Sequence, residues 1–188
     1  LRKHLEALIR AREAAIRESK RLIAFWRERL RRRPPPAYFS MFDSVDVGQI
    51  PPRPSAVAGY VGGNWPNFGT LVKRFPHAKH LSIAVNAAED AMCLDVENGD
   101  ATPEDAPAWV RRQHARGIKR PVLYASSSVV PEVNAALTRD GVTRDQYRVW
   151  SAHYTYRAHV EPGSDATQWT DKAFGRNLDQ SLCRGDFL

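Results

Sequence analysis

A chain of 188 residues can bury one sizeable hydrophobic core and leaves little for a second full domain. Its formal charge of +7 is uneven: residues 1–33 hold 12 Lys and Arg against 4 Glu, and the remainder holds 16 basic and 17 acidic residues. That balance argues against nucleic acid as a partner of the body, and two cysteines without C-x-x-C or Cys/His spacing argue against a disulfide framework or a zinc finger.

Residues 1 to about 30 lack Gly and Pro and are rich in helix formers, which predicts one long basic helix. Ile9, Ile16, Ile23 and Leu30 stand seven apart with Leu1, Leu8, Ala15 and Leu22 beside them, a stripe of coiled-coil period. The companion row Leu5, Arg12, Ser19 and Trp26 is half apolar, so the helix reads as an imperfect coiled coil or one laid on another surface. Self-association or contact with an anionic polymer are the partners expected of residues 1–33. Arg31-Arg32-Arg33 then meets Pro34-Pro35-Pro36, and proline ends the helix and makes 34–37 a stiff spacer. The start at Leu1 reads as a missing natural N-terminus; neither a signal-peptide pattern nor a membrane-spanning run is present.

From residue 38 to 188, short β-type runs alternate with helical segments. The expected strands are 38–42, 56–61, 80–85, 91–97, 121–125, 147–152, 166–169 and 178–182. The expected helices are 67–75, 102–116 with Thr102 as N-cap and Pro103 after it, and 129–140. Alternation with near-continuous apolar strands predicts a covered parallel sheet, and eight strands in about 150 residues fit an irregular β/α barrel lacking some helices, particularly after the sixth strand. An open doubly wound sheet is the alternative. Gly59-Tyr60-Val61-Gly62-Gly63 is not followed at once by a helix and lacks the lysine of a phosphate loop.

Asp95 and Glu97 stand two apart at the end of the fourth run, so a strand would project both carboxylates from one face. Asp43 and Asp46 follow the first run and Asp179 lies within the last. In a barrel the strand ends meet at one mouth, so these acids converge there. Crowded carboxyls cannot all ionise cheaply, which suits acid-catalysed cleavage of a glycosidic bond. Tyr60, Trp65, Tyr124, Trp150, Tyr154 and Trp169 recur at the same strand ends, where aromatic planes can stack on sugar rings while Asn64 and Gln168 bond hydroxyls. His153 is the histidine expected near the mouth, in a structural role. No G-x-S-x-G elbow is present, and nothing in the spacing calls for a metal or another cofactor.

The segments Phe42-Asp43-Ser44-Val45-Asp46, Ala58-Gly59-Tyr60-Val61-Gly62-Gly63, Leu94-Asp95-Val96-Glu97-Asn98-Gly99-Asp100-Ala101-Thr102-Pro103, Trp150-Ser151-Ala152-His153-Tyr154, Gln168-Trp169 and Leu178-Asp179-Gln180-Ser181 carry a resemblance. Together, over residues 38–188, they resemble the glycoside-hydrolase-like domain of actinobacteria and their phages, a group related to the family 25 muramidases. The resemblance implies an irregular β/α barrel acting on, or binding, bacterial cell-wall glycan, as part of a phage endolysin or a wall-remodelling protein. By position it implies Glu97 as general acid, Asp95 as the acid stabilising the charged intermediate, and Asp43 and Asp179 as flanking aspartates. The muramidases usually follow the first aspartate with a short Ser/His-rich stretch; here either Asp43 or Asp46 can match it, and Asp43 is favoured. The closer group is not uniformly known to hydrolyse glycan, so a non-catalytic glycan-binding or assembly module is the competing expectation. A third, in which the basic helix binds nucleic acid, is the weakest.

Overall fold

The computed structural model describes residues 2–31 and 37–188, which form two units, the N-terminal helix and a unit spanning Ala37–Leu188. Helix α1, Arg2–Arg31, is continuous, as its unbroken run of helix formers requires. Leu5, Leu8, Ile9, Ile16, Leu22 and Ile23 are exposed along it. The side chains of Trp26 and Leu30, which completed the expected stripe, and the prolines of the spacer lie outside the described residues. Among those described, no helix is long and apolar enough to cross a membrane.

The second unit is a closed eight-stranded barrel. Its strands are β1 (Tyr38–Asp43), β2 (Ala56–Tyr60), β3 (Lys79–Ala84), β4 (Cys93–Asp95), β5 (Val122–Ser126), β6 (Arg148–Ala152), β7 (Ala166–Thr170) and β8 (Asp179–Arg184). Three helices cover it: α2 (Phe68–Arg74) after β2, α3 (Ala106–Ala115) after β4 and α4 (Val130–Arg139) after β5. No helix follows β6, as the sequence suggested.

Side chains alternate along each strand, so one face of the sheet fills the barrel. Met41, Ala56, Ala58, Leu81, Ile83, Cys93, Val122, Tyr124, Trp150, Ala166 and Cys183 make that inner core. A second core lies under α3 and α4, around Trp109, Leu123, Leu137 and Val149, and a third under α2, around Val57, Leu71 and Phe75. Gly59 lets α2 lie close on β2, since a Cβ there would stand 2.3 Å from Leu71 Cδ1 and 3.3 Å from Phe68 Cα.

Three expectations are corrected. The sheet is not wholly parallel: β1 to β7 are parallel neighbours, but β8 runs antiparallel to both β7 and β1. The link from Thr170 to Asp179 is too short for a parallel crossover and turns back through Phe174 and Gly175, both at positive φ. The fourth strand ends at Asp95, not Glu97. Asn98-Gly99 turns the chain there, with Gly99 at φ 97° and the Asp100 amide bonded to the Glu97 carbonyl, so strand alternation does not govern Glu97. The third helix starts at Ala106 rather than after Thr102. The Asp105 carboxylate accepts both the amide and the hydroxyl of Thr102, at 2.8 and 2.6 Å, closing a turn ahead of the helix, and Pro107 occupies the first helical turn.

Candidate active site

Asp43 ends β1, Asp95 ends β4 and Asp179 begins β8. Because β8 runs antiparallel, its first residue lies at the same mouth as the last residues of the parallel strands. The register pairs Asp43 with Asp179 and Asp95 with Tyr124. Each acid continues an inward-facing row: Met41 then Asp43, Cys93 then Asp95, and Asp179 before Ser181 and Cys183.

Asp43 and Asp95 are 4% and 3% exposed, Asp179 is half-buried, and Glu97 is exposed on the turn after β4. Burial pushes the Asp43 carboxyl well above the usual carboxylate range, and the adjacent Asp179 charge adds to it. Facing each other across the ladder, the two carboxyls disfavour double ionisation, so a proton is held between them. Asp179 is pushed up to about 6 by burial and by Asp171. Burial, then the charges of Glu97 and Asp100, push Asp95 up to about 8, and its Oδ1 is buried without a hydrogen-bond partner. Glu97 is raised by partial burial and by Asp100.

The opposite end of the barrel shows how acids behave there when neutralised. Asp165 accepts from Arg144 at 2.7 Å and has Arg120 and Arg148 within 4 Å. Among the described residues no Lys or Arg makes such an ion pair with the four mouth acids; Lys172 acts on Asp179 only from beyond that range.

Gln168 organises the aromatic side of the mouth. Its Oε1 accepts from the hydroxyls of Tyr124 (2.5 Å) and Tyr154 (3.0 Å), which turns its amide NH₂ toward Asp43 Oδ2 at 3.2 Å. The Tyr60 hydroxyl has its proton affinity raised by burial and by the charges of Asp43, Asp95, Asp179 and Glu97, so it lies in the field of all four. Asn67 holds Tyr60 in place: its Oδ1 accepts from the Tyr60 amide at 3.0 Å while its Nδ2 donates to the Ser44 carbonyl at 2.8 Å.

An open cleft of about 530 Å³ shares Tyr60 with the mouth, although none of the four acids lines it. Asn64, the 65%-exposed Trp65, Asn86, Ala87 and Asp100 are among its lining residues.

The predicted residues therefore divide. Asp43, Asp95, Asp179, Glu97, Tyr60, Tyr124, Tyr154 and Gln168 come together at the mouth, and Asn64 and Trp65 flank the cleft. Trp150 is a correction: at 1% exposure it packs against Tyr124 with centroids 4.5 Å apart and ring planes tilted by 56°, and it donates to Ser181 Oγ at 2.9 Å, which makes it core support and leaves no face for a ligand. Trp169 is half-buried where the β7–β8 register shifts, with no hydrogen bond to the acids among the described residues. Asp46 is exposed and occupied by capping a short 3-10 turn, accepting from the Gly48 amide and the Gln49 side chain. Asn67, Asn86 and Asp100 went unassigned in the sequence; the N-x-x-N of Asn64 and Asn67 after the glycine run was the available signal for the first.

No family model matches the chain, and no curated protein matches it. Among solved structures it is similar to the bacterial lysozyme from Streptomyces coelicolor, at 16% identity over 76% of this chain and 90% of that one, with a TM-score of 0.49.

Proposed function

We propose that the barrel is a muramidase-type glycoside hydrolase acting on bacterial cell-wall glycan by carboxylate acid catalysis. The observation that carries this reading is the set of four acids at one mouth, with raised proton affinities and, among the described residues, no Lys or Arg in ion-pair contact, near an open cleft that shares Tyr60. The D-x-E and G-D-A-T-P segments support it through the resemblance they carry.

Glu97 is assigned as the acid because it stands exposed beyond the strand end, where it can reach a leaving oxygen, and partial burial and Asp100 raise its proton affinity in the direction a proton donor needs. Its proton passes to the glycosidic oxygen as the carbon–oxygen bond breaks. Asp95 in its ionised form faces the positive charge that develops on the anomeric carbon or on a neighbouring N-acetyl group, so its tightly held proton must leave before it can act. Water then adds to that carbon and returns one proton to Glu97. Asp43 and Asp179, sharing a proton, hold a polar wall with Gln168. Asn64 and Trp65 are assigned to sugar binding, and the basic helix to self-association or contact with acidic wall polymers. A place within a phage lysin or wall-remodelling protein rests on the resemblance alone.

The test is release of soluble muropeptides with new reducing ends from purified actinobacterial cell wall. Release by the native chain and none by folded Glu97→Gln supports the assignment. Wall retention with no release by either replaces it with a glycan-binding barrel.

A further inference from the structure

The chain passes from β6 to its parallel neighbour β7 through residues 153–165 without a helix. Parallel neighbours are ordinarily joined by a helix packed on the sheet, and irregular crossovers of this length need another anchor. At the start of the segment three side chains converge. His153 Nδ1 and His159 Nε2 both stand against Glu161 Oε1, the second at 2.9 Å, and the three atoms lie within 4.8 Å of one another. The imidazoles meet edge to face with centroids 5.5 Å apart.

The hydrogen bonding of His159 makes the convergence informative. Its Nδ1 lies 2.8 Å from the Arg157 carbonyl oxygen, which can only accept, so Nδ1 carries a proton. The Thr155 hydroxyl also serves Arg157, at 3.0 Å, leaving its lone pair toward Nδ1 at 3.1 Å. In the singly protonated ring, Nε2 then points a lone pair at a carboxylate oxygen 2.9 Å away. With Nδ1 committed to the carbonyl, Nε2 is the ring nitrogen left to meet a metal beside Glu161. A histidine whose remote N–H donates to a backbone carbonyl is also the usual outer support of a metal ligand. Glu161 is anchored in turn, its amide donating to Thr167 Oγ1 at 2.9 Å, and that hydroxyl bonds Ser151 Oγ on β6 at 2.8 Å.

We propose that His153 Nδ1, His159 Nε2 and Glu161 Oε1 bind a transition-metal dication, zinc by preference, which pins the β6–β7 crossover. Two imidazole nitrogens and one carboxylate oxygen match the ligands of a tetrahedral zinc with water in the fourth position, whereas calcium and magnesium take oxygen ligands. Ligand atoms around such an ion stand about 3.3 Å apart, so the cluster opens slightly on binding. Each nitrogen binds through its lone pair, so a proton held there is released to solvent. The pin reaches the mouth through the chain: Tyr154 follows His153 and donates to the Gln168 oxygen.

Titration of zinc chloride into the chelator-stripped full chain, followed by calorimetry and by the thermal midpoint, tests this. One zinc per chain, bound at micromolar concentration or tighter, with a midpoint raised by several degrees, is expected. Both effects should disappear in His159→Ala and in Glu161→Gln, whose far-ultraviolet spectra should match the native chain. Cobalt in place of zinc should give the intense visible bands of a tetrahedral site. A native chain that takes up no zinc, or stoichiometric uptake that survives both substitutions, overturns the proposal. The native titration decides the matter even if a variant does not fold.

Discussion

Asp43 stands directly across the closing ladder from Asp179, and the charge of Asp179 raises the proton affinity of the buried Asp43 carboxyl at the mouth of the barrel. A pair so placed binds one proton between them, and Asp95 is buried nearby with its own proton tightly held. The mouth therefore carries less negative charge at neutral pH than its count of acids suggests.

The pH dependence of stability follows from those carboxyls. Asp43, Asp95 and Asp179 bind protons more tightly folded than unfolded, so their contribution is intact below about pH 4 and lost as pH climbs through the folded values, reaching about 8 for Asp95. Asp90, lowered by hydrogen bonds from Gln113 and Arg112, and Asp105, lowered by Thr102, act oppositely and lose their contribution on acidification. The thermal midpoint should fall between about pH 5 and about pH 8.5, and Asp95→Asn should recover about 2 kcal/mol, or about 4–8 °C, at the higher pH. A native midpoint that is flat or rising over that interval contradicts the burial of these acids.

Gln168→Leu should cost about 2–3 kcal/mol, since it leaves Tyr124 without its acceptor and Asp43 without its donor inside the barrel. Urea unfolding measures this directly. A loss under about 0.5 kcal/mol would mean that Gln168 does not hold the network together.

Trp150→Ala should destabilise the barrel by about 3–5 kcal/mol, whereas Trp150→Phe keeps the ring against Tyr124 and loses about 1 kcal/mol with the Ser181 hydrogen bond. Glycan affinity of the folded Phe variant should be unchanged. Weaker wall retention in that variant would return Trp150 to the binding surface.

Trp65→Ala tests the cleft. The side chain is exposed, so stability should stay within about 0.5 kcal/mol. Retention on cell wall should drop about 5- to 10-fold, the worth of one stacked aromatic. Unaltered retention would move the glycan away from this side of the mouth.

Six of the eight strands were legible as short runs holding β-branched or aromatic residues, β4 and β8 having neither, and the acids were legible because they punctuate the ends of the runs. The direction of β8 was written in the shortness of the link before it, a length that a strand-by-strand reading overlooks. Glu97 left its strand because Asn98-Gly99 imposes a turn that outweighs the alternation of Asp95 and Glu97. Trp150 shows the limit of reading aromatics near acids: a tryptophan at a strand end and one a layer below look alike until the register is known. His153, His159 and Glu161 share no period at all, because an irregular crossover leaves none in the sequence.

The antiparallel pairing of β1 with β8 has a consequence in time. Its six residue pairs join the first strand of the barrel to the last, so this ladder has the greatest loop to close and cannot form until the whole unit is available. Asp179 arrives with it. A nascent barrel, or one cut short before Leu178, lacks Asp179 and presents no acid pair, so the chemistry of the mouth is withheld until the last strand has been made.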